Sequence, residues 1–228
     1  MYRRMAIVAV CVATVCTLVA QQKEEERLAN SATVLQEITS AKGLPKNVLE
    51  KADCVLIFPS VKKVAVGIGT SYGRGALVCR QGPEMKGAWG APAMYALDSG
   101  SVGLQLGSSA TDFVLVVMNP KGAEQILNGK TKLGGNAAAA AGPTGAQTTG
   151  FNSAAMTADV LTYSRTKGVF AGASLGGAKI DGDQDANKAL YGKDLSAKEI
   201  VQDNQEIVPA AKPLVDELNK LAPARQPQ

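Results

Sequence analysis

Side chains suited to catalysis are scarce in this chain. None of its 228 residues is a histidine, which removes the usual general base near neutral pH, the commonest zinc ligand and every Ser-His arrangement. Carboxylates remain, but Asp98, Asp112 and Asp159 are scattered near expected turns, where aspartate ordinarily caps or bends the backbone. The run Gly67-Ile68-Gly69-x-x-x-Gly73 is neither a dinucleotide nor a P-loop fingerprint, because no helical pattern follows it and the lysine-hydroxyl pair is missing. A strand explains it better. Asp181-Gly182-Asp183-Gln184-Asp185-Ala186-Asn187 imitates the opening of a calcium loop, yet Ala186 stands in the place of the turn glycine and Gly192 in that of the bidentate glutamate. It reads as an acidic turn that caps a helix. No metal, cofactor or enzymatic activity is expected.

The elements that would position any site begin after a leader. Arg3 and Arg4 precede an apolar run from Met5 to Ala20, the pattern of a secretory signal or an N-terminal anchor over residues 1–20, so export to the periplasm or medium is expected. The net charge of +4 falls to about +2 without those arginines, too mild a balance to argue for nucleic acid. Cys54 and Cys79 remain in an oxidising compartment. Either they pair, with Cα atoms within about 7 Å if the strand beginning at Asp53 lies beside the strand ending at Arg80, or each packs as a small buried hydrophobe.

With 46% hydrophobic residues, 24 glycines and a mean hydropathy near zero, residues 21–222 read as one sheet-based domain. Leu28, Ala32, Leu35 and Ile38 fall at helical spacing over 21–42, and Gly43 is expected to end that helix. Pro45 opens a short helix through Lys51, and the sheet starts near Asp53. Within Val64 to Cys79, every second residue from Ala65 to Gly75 is small: Ala65, Gly67, Gly69, Ser71, Gly73 and Gly75. Gly103, Gly107 and Ser109, and later Gly172, Ser174, Gly176 and Ala178, repeat the pattern. Glycine inside a strand costs roughly 0.5 to 1 kcal/mol relative to alanine, so its recurrence at one parity points to close approach of another segment or the tight interior of a curled sheet. A faint echo at a spacing of 105, pairing Phe58, Lys62, Val64 and Gly67 with Tyr163, Lys167, Val169 and Gly172, suggests two similar hairpins. Phe113 to Met118 reads as a buried strand, Pro120 to Leu127 and Asp183 to Tyr191 as helices, and Ser196 with Glu199 as a capping box. A last amphipathic helix carries Leu214, Val215, Leu218 and Leu221, before a flexible tail over 223–228.

Several of these segments carry a resemblance. Ala52-Asp53-Cys54-Val55-Leu56-Ile57-Phe58-Pro59-Ser60-Val61-Lys62-Lys63, the Gly67 to Gly75 run, Val116-Val117-Met118-Asn119, Ala141-Gly142-Pro143, Tyr163-Ser164-Arg165-x-Lys167-Gly168-x-Phe170-Ala171-Gly172 and Asn187-Lys188-Ala189-Leu190-Tyr191-Gly192 resemble, in order and approximate spacing, the SYLF lipid-binding domain over roughly 28 to 203. The export signal and the absence of an appended interaction domain resemble its secreted bacterial, Ysc84-like members. The resemblance implies binding of acidic phospholipids without catalysis and, in some eukaryotic members, binding of actin. Under that implication the candidate lipid-binding cations are Lys62, Lys63, Arg74, Arg165 and Lys167, because the two hairpin motifs supply them in equivalent places. The fold expected is α+β, with a curved glycine-rich antiparallel sheet or incomplete barrel and helices at both termini. A structural or protein-interaction module of the cell envelope is the alternative.

Overall fold

The computed structural model describes residues 2–66, 68–99, 110–144, 157–166, 168–173 and 175–225, and side chains within that set outside 2–17 and 63–70. Gly67, Gly103, Gly107, Ser109, Lys167 and Ser174 therefore lie outside the described residues. Helix α1 (Tyr2–Ser40) and α2 (Lys46–Lys51) precede β1 (Cys54–Val66), β2 (Ile68–Cys79), β3 (Ala93–Ser99) and β4 (Thr111–Val117). Then follow α3 (Pro120–Leu127), β5 (Thr131–Lys132), β6 (Ala139–Ala141), β7 (Val160–Thr166), β8 (Val169–Gly172) and β9 (Lys179–Gly182), and finally α4 (Gln184–Tyr191), α5 (Ala197–Gln202) and α6 (Lys212–Leu221). The strands form one strongly curved half-barrel in the order β5-β9-β3-β2-β1-β4-β7-β6, with β8 also on β7. This is the expected α+β architecture. Every pairing is antiparallel except β6 with β7.

Both faces of the sheet are covered, which explains why β4 reads as an unbroken apolar run and not as an alternation: all seven of its residues are buried. On one side Val55, Ile57, Ala76, Val78, Val114 and Val116 pack with Leu28, Leu35 and Ile38 of α1 and with Leu214 and Leu218 of α6. On the other, Leu56, Phe58, Leu77, Tyr95, Phe113 and Leu115 pack with Ile126 of α3 and Ile200 of α5. Cys54 and Cys79 are opposed in the β1–β2 ladder with Cα atoms 4.0 Å apart and are joined as a disulfide.

The small-residue alternation crosses a hairpin. β1 and β2 meet around residue 67, and because Ala65 opposes Gly69 and Lys63 opposes Ser71, the odd positions share one face across the turn. Between Ile57 and Lys62 the register shifts by one at a bulge, with Ser60 in a left-handed conformation (φ 54°). That bulge is the segment for which glycine makes room. A Cβ on Gly73 would lie 2.6 Å from Val61 Cγ2, and one on Gly75 would fall on the carbonyl oxygen of Ile57 and 2.7 Å from Phe58 Cδ1. The third small-residue run is not one strand: it covers the end of β8, a turn with Gly177 at φ 88°, and the approach to β9. There Gly172 lies against the carbonyl oxygen of Gly142 and the Cβ of Ala141, so β6 and β8 abut end to end along the same edge of β7.

Helix ends follow their local signals. Asn119, Asp183 and Ser196 cap α3, α4 and α5, the last with Glu199 as a full capping box, and Gly192 closes α4 in the left-handed region. At the end of α1 the left-handed residue is Lys42 (φ 54°), not Gly43. Gly43 is needed for closeness instead, since its Cβ would stand 2.7 Å from Phe170 Cβ. The expected boundary at Ala20 falls inside α1, which is one continuous helix from Tyr2. Beyond α6, residues 223–225 do not form the free tail expected from 223: Arg80 donates to the carbonyls of Ala222 and Pro223, and Arg225 pairs with Asp53 at 2.9 Å.

Candidate binding surface at one end of the sheet

A single row crosses four strands near one end of the half-barrel. Val61 of β1 opposes Thr111 of β4, the hydroxyls of Thr111 and Thr166 of β7 are 3.1 Å apart, and Thr166 opposes Val169 of β8. Lys62 and Lys63 lie just past this row on β1, and β7 ends in the row at Thr166. Lys62 is exposed and makes no ion pair among the described residues. It opposes Tyr72, whose surface is 46% exposed, and Val169 at the tip of the β7–β8 hairpin is 70% exposed. The hairpins that contain these lysines are not equivalent in detail. The β7 turn follows Thr166, whereas the echoed position in β1 falls at the bulge, well before its own turn.

Arg165 has a different environment. Its Nε and Nη2 each lie 2.6 Å from Asp112 Oδ2, its Nη1 pairs with Glu37 of α1, and its guanidinium sits 5.5 Å from the Phe170 ring centroid. Asp112 Oδ1 in turn accepts the Ser60 N–H at 2.8 Å. One carboxylate therefore joins the β1 bulge, β4 and β7, and the arginine ties that junction to α1. Two carboxylates neutralise this cation where it stands. The β4–β7 pairing that sets Asp112 opposite Arg165 spans 53 residues of sequence, so no local pattern announces it.

Arg74 is also engaged. Its Nη1 is 3.0 Å from Asp183 Oδ2, its Nε donates to the Tyr72 hydroxyl, and its guanidinium lies 5.8 Å from that ring. The Tyr72 hydrogen bond, with Asp183 and Asp185 close by, outweighs partial burial and holds the Arg74 pKa above its ordinary value. Arg27 of α1 sits beside this cluster and pairs with Glu24, and burial followed by the Arg74 charge lowers its pKa. A cavity of about 190 Å³, lined by Lys23, Glu26, Arg27, Asn30, Pro59 and Ser60, separates α1 from the bulge. Of the five candidate cations, Lys62 is open to solvent, Arg74 and Arg165 are paired within the domain, and the side chains of Lys63 and Lys167 lie outside the described set.

The acidic turn is occupied by structural roles. Asp183 accepts the Ala186 N–H at 3.2 Å as the cap of α4, and Asp181 accepts the Lys130 N–H at 3.2 Å.

A family profile described as "Las17-binding protein actin regulator" (Ysc84) matches residues 98–221. The SH3 domain-containing protein PJ696.02 of Schizosaccharomyces pombe is 36% identical over 188 residues, covering 81% of this chain and 43% of that protein. Protein YSC84 of Saccharomyces cerevisiae is 31% identical over 175 residues, covering 75% and 36%. The human SH3 domain-containing YSC84-like protein 1 is 29% identical over 185 residues, covering 79% and 53%. The chain thus spans between about a third and a half of the length of these relatives.

Proposed function

The chain belongs to the Ysc84, or SYLF, family, and we propose that it is a non-catalytic, exported domain that binds acidic phospholipid surfaces through the end of the sheet marked by Lys62, Lys63 and Lys167. The observation that carries this reading is the placement of an exposed lysine, without an ion pair among the described residues, in the same rim as two exposed side chains with apolar surface, Tyr72 and Val169. Cations within a Debye length of an anionic surface contribute about 1 kcal/mol each, and exposed apolar groups add affinity by entering the headgroup boundary.

Co-sedimentation with vesicles tests it. Anionic vesicles should retain the protein, neutral ones should retain less, and binding should weaken as salt rises, because exposed charges are screened over about 8 Å at physiological ionic strength. Replacing Lys62, Lys63 and Lys167 with glutamate should weaken anionic binding by roughly 100-fold while leaving the melting temperature unchanged. Arg165 is kept in this variant because its removal would strip the partner from two carboxylates. Full, salt-sensitive binding by the folded triple variant would exclude this rim. A second reading, an actin-regulating protein contact, is supported by the family description, and co-sedimentation with actin filaments separates it from the first.

A further inference from the structure

We propose that the β7–β8 hairpin is a rigid wedge whose exposed apolar residue beside the turn, Val169, enters the apolar boundary of the bilayer; this rests on the lipid-surface reading above and assigns the residue that penetrates. A singly exposed valine is ordinary on a protein surface, and three features set this one apart. It opens β8 in the last cross-strand pair before the turn, beside Gly168 at φ 79°, where a Cβ added to that glycine would meet nothing within 4 Å. The base of the hairpin is fixed: Arg165 bridges Asp112 and Glu37 and stacks on Phe170, and Phe170 packs so closely on α1's exit that Gly43 has no room for a side chain. The hairpin is also two-faced. Arg165 and Phe170 are cross-strand partners on the side held by α1, so Thr166 and Val169, the adjacent pair, point to the opposite side.

The same row places Val169 three strands from Val61, roughly 14 Å at the usual interstrand spacing, with Lys62 next along β1. By the same alternation Lys62 points to the α1 side and Val169 away from it, so one anionic surface touches both where it meets the sheet end-on. Because the hairpin is already immobilised, insertion forfeits little conformational entropy.

The experiment uses Val169→Trp and Val169→Asp with vesicles of phosphatidylglycerol and of phosphatidylcholine. Trp89, the only tryptophan present, is 1% exposed and supplies a constant background. With phosphatidylglycerol vesicles, the tryptophan introduced by V169W should shift its emission to the blue and be quenched by acyl-chain-brominated lipid. V169D should bind roughly tenfold more weakly at an unchanged melting temperature. If the parent chain binds no vesicle, the lipid reading and the wedge fall together. If the parent binds but V169W shows neither shift nor quenching, the wedge alone is overturned, whether or not V169D weakens binding, since a new negative charge could do that by repulsion.

Discussion

Guanidinium groups do two different kinds of work in this domain, and only surroundings distinguish them. Arg165 and Arg74 are held by carboxylates, whereas Arg80 is 1% exposed and donates to four backbone carbonyls, those of Ala52, Gly87, Ala222 and Pro223. Sequence alone assigns two of these cations to a lipid patch because an arginine beside a strand looks the same whether or not a carboxylate waits across the sheet. Carboxylates divide in the same way. Burial pushes the Asp159 carboxyl up, but the Ala138 N–H at 2.9 Å, Asn119 at 3.1 Å and Lys121 at 3.4 Å together hold it below its ordinary value of 3.8. A carboxyl with a depressed folded pKa gives stability that is fully present above the unfolded value and is lost as pH falls through the folded one. Asp159→Asn should therefore lower stability at neutral pH and flatten the decline below about pH 4, as urea midpoints between pH 2.5 and 7 would register. An acid limb identical to that of the parent would mean that Asp159 contributes nothing to it. At Gly75 the constraint is steric. Alanine there should cost about 2 kcal/mol or more, because the obstacle is the Ile57 carbonyl, a backbone atom that cannot rotate aside; an unchanged denaturation midpoint would show that the bulge yields.

Elements defined by local chemistry were legible in the sequence. The helix over Pro120–Leu127 begins at an asparagine cap with proline in its first turn, α4 lies between Asp183 and Gly192, and α5 carries its capping box; each signal is local in the sequence. Features set by register were not legible. The bulge at Phe58–Val61 leaves the apolar pattern almost intact, and the reversal that pairs Val66 with Ile68 falls where the alternation of the sequence continues. The parallel seating of β6 on β7 brings together segments about twenty residues apart with no shared pattern. The cysteine pair lay between these cases, since proximity followed from assuming that the strands at Asp53 and Arg80 are neighbours. The bond closes a loop with a sequence separation of 25, and chain-entropy arguments put its contribution at about 3 kcal/mol. Both cysteines are buried, so the double variant Cys54→Ala, Cys79→Ala should lose about that much in equilibrium denaturation, whereas the native parent should resist mild thiol reductants. Equal midpoints for the two proteins would mean that the β1–β2 ladder alone supplies the constraint.

At the scale of the whole molecule, the end of the chain closes the fold. The Ala222 carbonyl accepts from both Arg80 Nη2 and Trp89 Nε1, at 2.9 and 2.8 Å, and the Pro223 carbonyl accepts from Arg80 Nη1 at 2.9 Å. Arg225 reaches Asp53 and the carbonyls of Glu50 and Ala52, while its own N–H donates to Lys86 at 2.8 Å. Six residues among the first ninety are thus tied to three at the far end, across the same corner where Asp53 and Arg80 flank the disulfide. The guanidinium lies 4.5 Å from the Trp89 ring centroid, and burial, with Arg225 adding its charge, lowers the Arg80 pKa to about 10, so it stays charged at neutral pH and needs its acceptors. Ending the chain at Leu221 removes two of the four and leaves a buried cation under-solvated. The expected loss is about 2 to 4 kcal/mol, with a red shift of Trp89 emission in the native state, because the indole N–H loses its carbonyl and the ring gains water. A second variant, Arg80→Met, separates the two causes: it removes the cation's demand while keeping the segment, so it should lose stability with a smaller emission change. A truncated chain that unfolds at the parent's midpoint with unaltered emission would show that residues 222–225 lie on the surface without holding it.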